Sequence, residues 1–507
     1  SKEASMSPAS ADAAARPRTI ITTDSEADDM NSFMRLLYYT NELDVAGLVY
    51  NSSVHHWQGD GVHTLREAQQ AGVITSFLGE PAGRLGRSED ARTWRWEPLG
   101  WMEAKILDDY AQVYPNLLRH DPRYPSPAEL WSKVVVGNVA FEGDFSADTE
   151  GSELIRAALL DDDPRPLYLQ IWGGTNTVAR ALVSIEQQFR DSPEWPAVRA
   201  KVTEKAVIVT IGQQDNAYPD YIAGAWPQIT VLDFDRAFAG YSCYSRRFAP
   251  PEILPYYQAS FWAANIKYGH GPVLAKYGLI GDGTSFAGEG DNPGWQPGLA
   301  RNPAEFRMFD FIGGFERLDW TGEGDTPAFI CLIPTGLRFL EDPGLGGWAG
   351  RLLGSAATPN YYRAGQDHNP HQHADQELYT TLRWMPAIQN DFAARADWGV
   401  TPRYADANHA PEVAVSPADA TAAPGQQVRL QATASDPDGD ALAASWWVYN
   451  EAGTTTGAPA IEADGFTATI TVPATAEPGQ RAVVVVAVTD DGTPPLTRYA
   501  QVVITVA

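Results

Sequence analysis

Ile20-Ile21-Thr22-Thr23-Asp24-Ser25-Glu26-Ala27-Asp28-Asp29 runs from an apolar strand into the start of a helix. The strand ends at Thr23, and the helix begins near Asp28, with Phe33, Leu36 and Leu37 spaced along its buried side. Similar apolar runs recur at 45–51, 167–172, 206–211, 229–232 and 328–333, with helical stretches between them. Strands that are apolar without alternation are covered on both faces. The expected fold is therefore α/β, with a doubly wound, mainly parallel sheet. In such sheets ligands bind beyond the carboxyl ends of the strands, so the chemistry is sought in the loops after these runs.

The loop after the first strand is the most acidic of them. Asp24, Glu26, Asp28 and Asp29 repel one another, and solvent, the positive end of a helix or a cation must offset that repulsion. Oxygen-only ligands suit Ca²⁺ or Mg²⁺, and Ca²⁺ better tolerates an irregular loop. The plainer alternative is a set of acidic residues at a helix N-terminus.

The rest of the chain narrows the function. Its 507 residues exceed one ordinary core, and 44% hydrophobic with 11% aromatic residues is the composition of a packed globular protein. Sixty-four carboxylates against 37 Lys and Arg give a net charge of −27, which disfavours nucleic acid and anionic membranes as partners. No apolar run is long enough for a membrane span. Residues 1–17 are Ala/Ser-rich and aperiodic, as expected of a disordered leader, left where a signal peptide was either cut or replaced. Cys243 and Cys331, each in an apolar segment, are expected to be buried thiols. Few cysteines and many tryptophans fit a secreted or periplasmic protein.

The texture changes toward the end. Residues 410–507 alternate apolar with polar or small residues and are punctuated by turns such as Asp436-Pro437-Asp438-Gly439-Asp440. An Ig-like β-sandwich able to fold alone is expected there, after a linker at 399–409. The turn itself has the look of a calcium loop without the remaining ligands, and is read as structural.

The acidic loop resembles the Asp-x-Asp-x-x-x-Asp-Asp start of nucleoside hydrolases, with Asp24, Asp28 and Asp29 at the last three positions and Thr22 in place of the first Asp. Gly173-Gly174-Thr175-Asn176 is similar to that family's Gly/Leu-Thr-Asn turn, and Glu323-Gly324-Asp325 stands where the family has His-Asp. The resemblance implies a domain over 18–398. It implies a Ca²⁺ held by Asp24, Asp29, Asp325 and the Thr175 carbonyl, with Asp24 also the base that activates water. Asp28 would hold sugar hydroxyls, and Asn51, His55, Asp215 and Asn216 would contribute further contacts. Gly324 replaces the histidine near the leaving group, which argues against nucleosides as substrates.

Residues 262–270, Gly346-Gly347-Trp348-Ala349-Gly350-Arg351 and Arg383-Trp384 resemble, more narrowly, the secreted nucleoside-hydrolase-like proteins of polysaccharide-degrading bacteria. These are often labelled cellulose-binding and carry a C-terminal Ig-like domain. His270 and Trp348 would line a sugar pocket on this reading, and a homo-oligomer is allowed. The implied function is calcium-dependent hydrolysis of glycosidic or N-glycosidic bonds in cell-wall carbohydrate. The alternative is a non-catalytic carbohydrate-binding protein that keeps the hydrolase fold.

Overall fold

The computed structural model describes residues 16–74, 89–282 and 316–507. Most of the expected leader, and the segments 75–88 and 283–315, lie outside the described residues. Eight strands build the first sheet: β1 (Arg18–Thr23), β2 (Asp44–Tyr50), β3 (Val134–Val136), β4 (Leu167–Trp172), β5 (Ala206–Thr210), β6 (Thr230–Asp233) and an edge hairpin of β7 (Leu352–Leu353) and β8 (Tyr361–Ala364). Their spatial order is β3-β2-β1-β4-β5-β6-β8-β7. Every pairing is parallel except β7 with β8.

Adjacent side chains explain the continuous apolar runs. Ile21 joins the apolar cluster on one face with Phe33 and Trp172, whereas Ile20 joins the cluster on the other with Ile155 and Val178. Both faces are thus buried, as period-2 geometry requires of a covered parallel strand. Helices α1 (Ala27–Leu37), α2 (Glu150–Leu160), α3 (Asn176–Phe189) and α4 (Trp195–Lys205) supply the cover. From β1 the chain builds outward through β2 and β3. It then crosses back to lay β4 on the other side of β1, with Thr23 in register with Trp172. The winding direction reverses between β1 and β4, so the loops after these strands flank the crevice where such sheets hold ligands.

One expected strand is helical. The run 328–333 forms the short helix α5 (Pro327–Ile330), with Ala328 to Ile333 all buried. A short apolar run buried on all sides carries no period that separates strand from helix. The longer helix α6 (Met385–Trp398) follows, beyond the small hairpin β9 (Asp367–Asn369) and β10 (Ala374–Gln376).

The tail forms two four-stranded sheets. One is ordered β11 (Glu412–Ser416), β13 (Gln427–Ser435), β16 (Thr467–Thr471), β15 (Ala460–Asp464); the other β12 (Asp419–Ala422), β18 (Thr497–Val506), β17 (Arg481–Asp490), β14 (Leu442–Val448). This is the expected all-β sandwich. It is joined to the first domain by a broad aromatic seam. Trp384 meets Trp447, Tyr449 and Tyr499 with ring centroids 6.0, 6.0 and 5.4 Å away. Asp367 accepts from Tyr449 and is also paired with Arg351 and Arg383, and Arg498 pairs with Asp391 at 2.9 Å.

Cys243 and Cys331 are both buried thiols with no disulfide between them, as expected. Among the described residues no helix is long and apolar enough to cross a membrane.

Candidate functional site

Ser25, with φ of 65°, turns the chain sharply between β1 and α1. That turn folds the acidic loop back on itself. The Glu26 amide donates to Asp24 Oδ1 at 3.3 Å, and Thr23 Oγ1 donates to Asp29 Oδ2 at 2.6 Å while accepting from the Ser25 amide at 3.1 Å. Asp28 and Asp29 sit in the first turn of α1, where the helix dipole favours negative charge.

Loops from neighbouring strands close around Asp24. After β2, Ser53 Oγ donates to Asp24 Oδ2 at 2.6 Å. After β4, Gly173 packs so tightly that a Cβ there would stand 2.8 Å from that of Asp24, so only glycine fits. The segment carrying Asp325 arrives from far along the chain. Asn31 Nδ2 on α1 donates to the carbonyls of Gly278 and Gly322, each at 3.1 Å, and this locks Asp325 beside Asp29. The two carboxyls interact directly with each other.

Asp24, Asp29 and Asp325 are all at least 97% buried, with exposures of 0, 1 and 3%. Burial pushes the Asp29 and Asp325 carboxyls well above the usual range, and the neighbouring charges of Asp24 and Asp28 push in the same direction. Buried, mutually repelling carboxylates with oxygen as the only donor atom fit a hard divalent cation. Glu26 goes the other way. Burial alone would raise it, but a hydrogen bond and the charge of His56, helped by His55 and Arg95, hold it down at about 2. Asp24, Glu26 and His56 each bring a ligand atom within 4.8 Å of the others, as do Glu26, Asp28 and Asp29.

Beside this cluster lies a cleft of about 120 Å³, lined by Glu26, Asp28, Phe238 and Ser242 among others. Asp28 reaches into it against Gly324, where a Cβ would come within 2.6 Å of Asp28 Oδ2. A histidine side chain at 324 would occupy the space that Asp28 fills.

The remaining expected residues divide. Thr175 is buried beside the site; its carbonyl accepts the first turn of α3 from Ala179, at 2.9 Å, and its hydroxyl donates to Gln213. His55 borders Glu26. Asn51 is committed to scaffold bonds, donating to the Gly174 carbonyl and accepting from Thr177, each at 2.7 Å. Asp215 accepts the amides of Asn176 and Ala217 at 3.1 and 3.0 Å, and burial lifts it to about 6. Asn216 is buried in the same loop, and its carbonyl accepts from the Asp220 amide.

Trp348 and His270 are not part of this group. Trp348 is 2% exposed in the seam between domains, and its indole donates to Tyr499. The glycine-rich loop around it is shaped by contact with the sandwich, and a sequence pattern does not reveal that partner. His270 pairs with Asp397 near the end of α6. Thr22, in place of the family's first Asp, is buried and donates to the Gln170 carbonyl across to β4.

Sequence reading missed three participants. Ser53 and His56 lie in a loop without charge clustering, and only the closure of β2 onto β1 brings them to Asp24 and Glu26. Glu323 is fully buried in an ion pair with Arg35 of α1 and accepts from Tyr277; burial raises it to about 7. The Glu-x-Asp spacing with Asp325 was its only signal.

Residues 18–352 match the family described as cellulose-binding Sde182, nucleoside hydrolase-like domain, and residues 427–506 match the C-terminal domain of cellulose-binding protein Sde0182. Among curated proteins no sequence matched. Among solved structures, a nucleoside hydrolase-related protein from Saccharophagus degradans, described as associated with carbohydrate metabolism, is 26% identical with a TM-score of 0.64; the alignment covers 97% of this chain and 100% of that one. A titin–obscurin-like Ig complex aligns over 19% of this chain and 93% of that chain, at 18% identity and a TM-score of 0.13. With most of the first domain and most of the sandwich matched in order, the chain belongs to the Sde182 family of cellulose-binding proteins with a nucleoside hydrolase-like domain.

Proposed function

We propose that this protein is a secreted or periplasmic, calcium-dependent hydrolase of glycosidic bonds in cell-wall carbohydrate. What supports the reading is a buried acidic cluster at the carboxyl edge of the sheet, where Asp29 feels the charges of both Asp24 and Asp325, beside an acidic cleft.

Asp24, Asp29 and Asp325 would hold the Ca²⁺, with the Thr175 carbonyl as a further oxygen. When bound, the ion supplies positive charge that orients a water molecule and makes it more acidic. Asp24 is the base. Ser53 fixes its Oδ2, and the Glu26 amide fixes its Oδ1, leaving lone pairs to accept the proton of the attacking water. Asp28, projecting into the cleft, accepts hydrogen bonds from sugar hydroxyls, and Phe238 offers a ring for the apolar face of a sugar. Glu26, kept ionised by His56, adds negative charge where an oxocarbenium-like centre develops.

A second reading has its own support. Gly324 leaves no histidine to protonate a leaving group, which suits a carbohydrate-binding protein that keeps the hydrolase fold without turnover. The test combines oligosaccharide titration by calorimetry with an assay for new reducing ends, on wild type and Asp24→Asn. Hydrolysis is expected to fall at least about a hundredfold in the variant, with binding retained. Near-wild-type turnover by Asp24→Asn would exclude it as the base, and binding without reducing ends in wild type would favour the second reading.

A further inference from the structure

The sandwich carries an acidic cluster of its own. Asp436 and Asp440 lie in the turn between β13 and β14, and Asp490 ends β17; a carboxylate oxygen from each lies within 4.8 Å of the other two. One oxygen of Asp436 and one of Asp490 are well supplied. Asp436 Oδ1 accepts the amides of Asp438 and Asp440 at 2.9 and 3.1 Å. Asp490 Oδ1 accepts the amides of Gly492 and Leu496 and the side chain of Asn408, at 3.1, 3.0 and 3.0 Å.

The second oxygens are different. Asp436 Oδ2 and Asp490 Oδ2 are both buried and receive no hydrogen bond, and Asp490 as a whole is only 3% exposed. No Lys or Arg among the described residues pairs with Asp436, Asp440 or Asp490. The one neighbouring base, His409, is held by Asp438 at 2.9 Å. A turn of exposed carboxylates would need only solvent. A buried anionic oxygen facing two more carboxylates needs a cation.

We infer that Asp436, Asp440 and Asp490 form a second Ca²⁺ site, separate from the cluster at β1. Three carboxylates supply part of the six to eight oxygens that Ca²⁺ takes, and water reaching the half-exposed Asp436 and Asp440 completes the shell. The site has a structural task. Asn408 donates to Asp490, the Asn408 carbonyl accepts from Trp398 at the end of α6, and the His409 amide donates to Asp438. The ion therefore fastens the connecting segment to both domains at once.

The test is calcium titration by calorimetry on the full-length, chelator-stripped protein, with Asp440→Asn as the main variant. Among the described residues no hydrogen bond uses the Asp440 side chain, so its substitution leaves the hydrogen bonds of the turn intact. Asp436→Asn, which retains an acceptor for both amides, serves as a second variant, and circular dichroism reports folding. In an Asp29→Asn/Asp325→Asn background one Ca²⁺ per chain is expected to remain, with Kd on the order of 10⁻⁴ to 10⁻³ M. Adding Asp440→Asn should weaken it by about tenfold or more. No remaining calcium in that background, or unchanged affinity in folded Asp440→Asn and Asp436→Asn, would overturn the inference. Failure of the β1 cluster to bind calcium would leave this count unaltered, so the two sites are judged apart.

Discussion

Replacing Asp29 with asparagine removes one charge from the cluster at β1 while keeping the size of the side chain and an oxygen to accept from Thr23. Glu26, Asp28 and Asp29 have carboxylate oxygens within 4.8 Å of one another. Each ionised pair at that distance repels by about 3.5 kcal/mol at an effective dielectric constant of about 20. Water and proton uptake absorb most of this, leaving a net relief of about 1–2 kcal/mol in chelator. At an unfolding entropy of about 2.1 cal/mol/K per residue, Asp29→Asn should then melt roughly 1–2 °C above wild type. In calcium the order reverses. Wild type gains about 2.7 kcal/mol when the free ion is at a hundred times its Kd, and the variant forfeits that gain. Calcium bound in the sandwich raises both proteins equally and cancels from the comparison. Differential scanning fluorimetry in EDTA and in excess calcium reads the crossing directly. A variant less stable than wild type by the same amount in both conditions would show that Asp29 is only a structural carboxyl.

Other outcomes follow from the packing of the two domains. Trp384→Ala should cost about 3–5 kcal/mol, because the ring is 4% exposed among three aromatic residues of the tail; chemical denaturation measures it, and a loss below about 1 kcal/mol would mean that the seam contributes little. Removing the chain beyond His409 should expose Trp348 and Trp384 and lower the melting temperature of what remains, rather than leave it unaltered. His120 contacts His409 at 2.9 Å, and burial, with the charge of His409, lowers its pKa. A depressed histidine contributes stability that is present above its ordinary value of about 6.5 and lost as pH falls through the lowered value. Unfolding free energy should thus drop on acidification below about pH 6.5, and more weakly in His120→Gln; identical slopes would refute the assignment.

The parts legible in the sequence are those written locally. Continuous apolar runs at β1, β2, β4 and β5 announce burial on both faces, and four acidic residues after β1 announce a charge problem that only a special environment solves. Asp325 is legible only through resemblance, since its own surroundings are a short Gly/Asp turn. Ser53, His56 and the Arg35–Glu323 pair become neighbours of the site through strand order, which no single stretch encodes. Trp348 shows the opposite failure. The resemblance to the secreted subfamily suggested a pocket wall, but its indole donates to Tyr499, contributed by the last strand of the sandwich.

Asn31, which holds the distant loop through the Gly322 carbonyl, makes a contact spanning 291 residues. Considered in time, that contact sets an order of events. A chain that emerges from its N-terminus presents residues 24–29 early and Asp325 late, and closing so long a loop costs entropy before any bond returns it. The acidic loop therefore spends the early life of the chain without its third carboxylate and with little hold on an ion. Metal acquisition at the proposed site would belong to the end of folding, in whichever compartment the first domain is completed. Calcium bound there would act as a seal on a finished structure rather than as a seed for it.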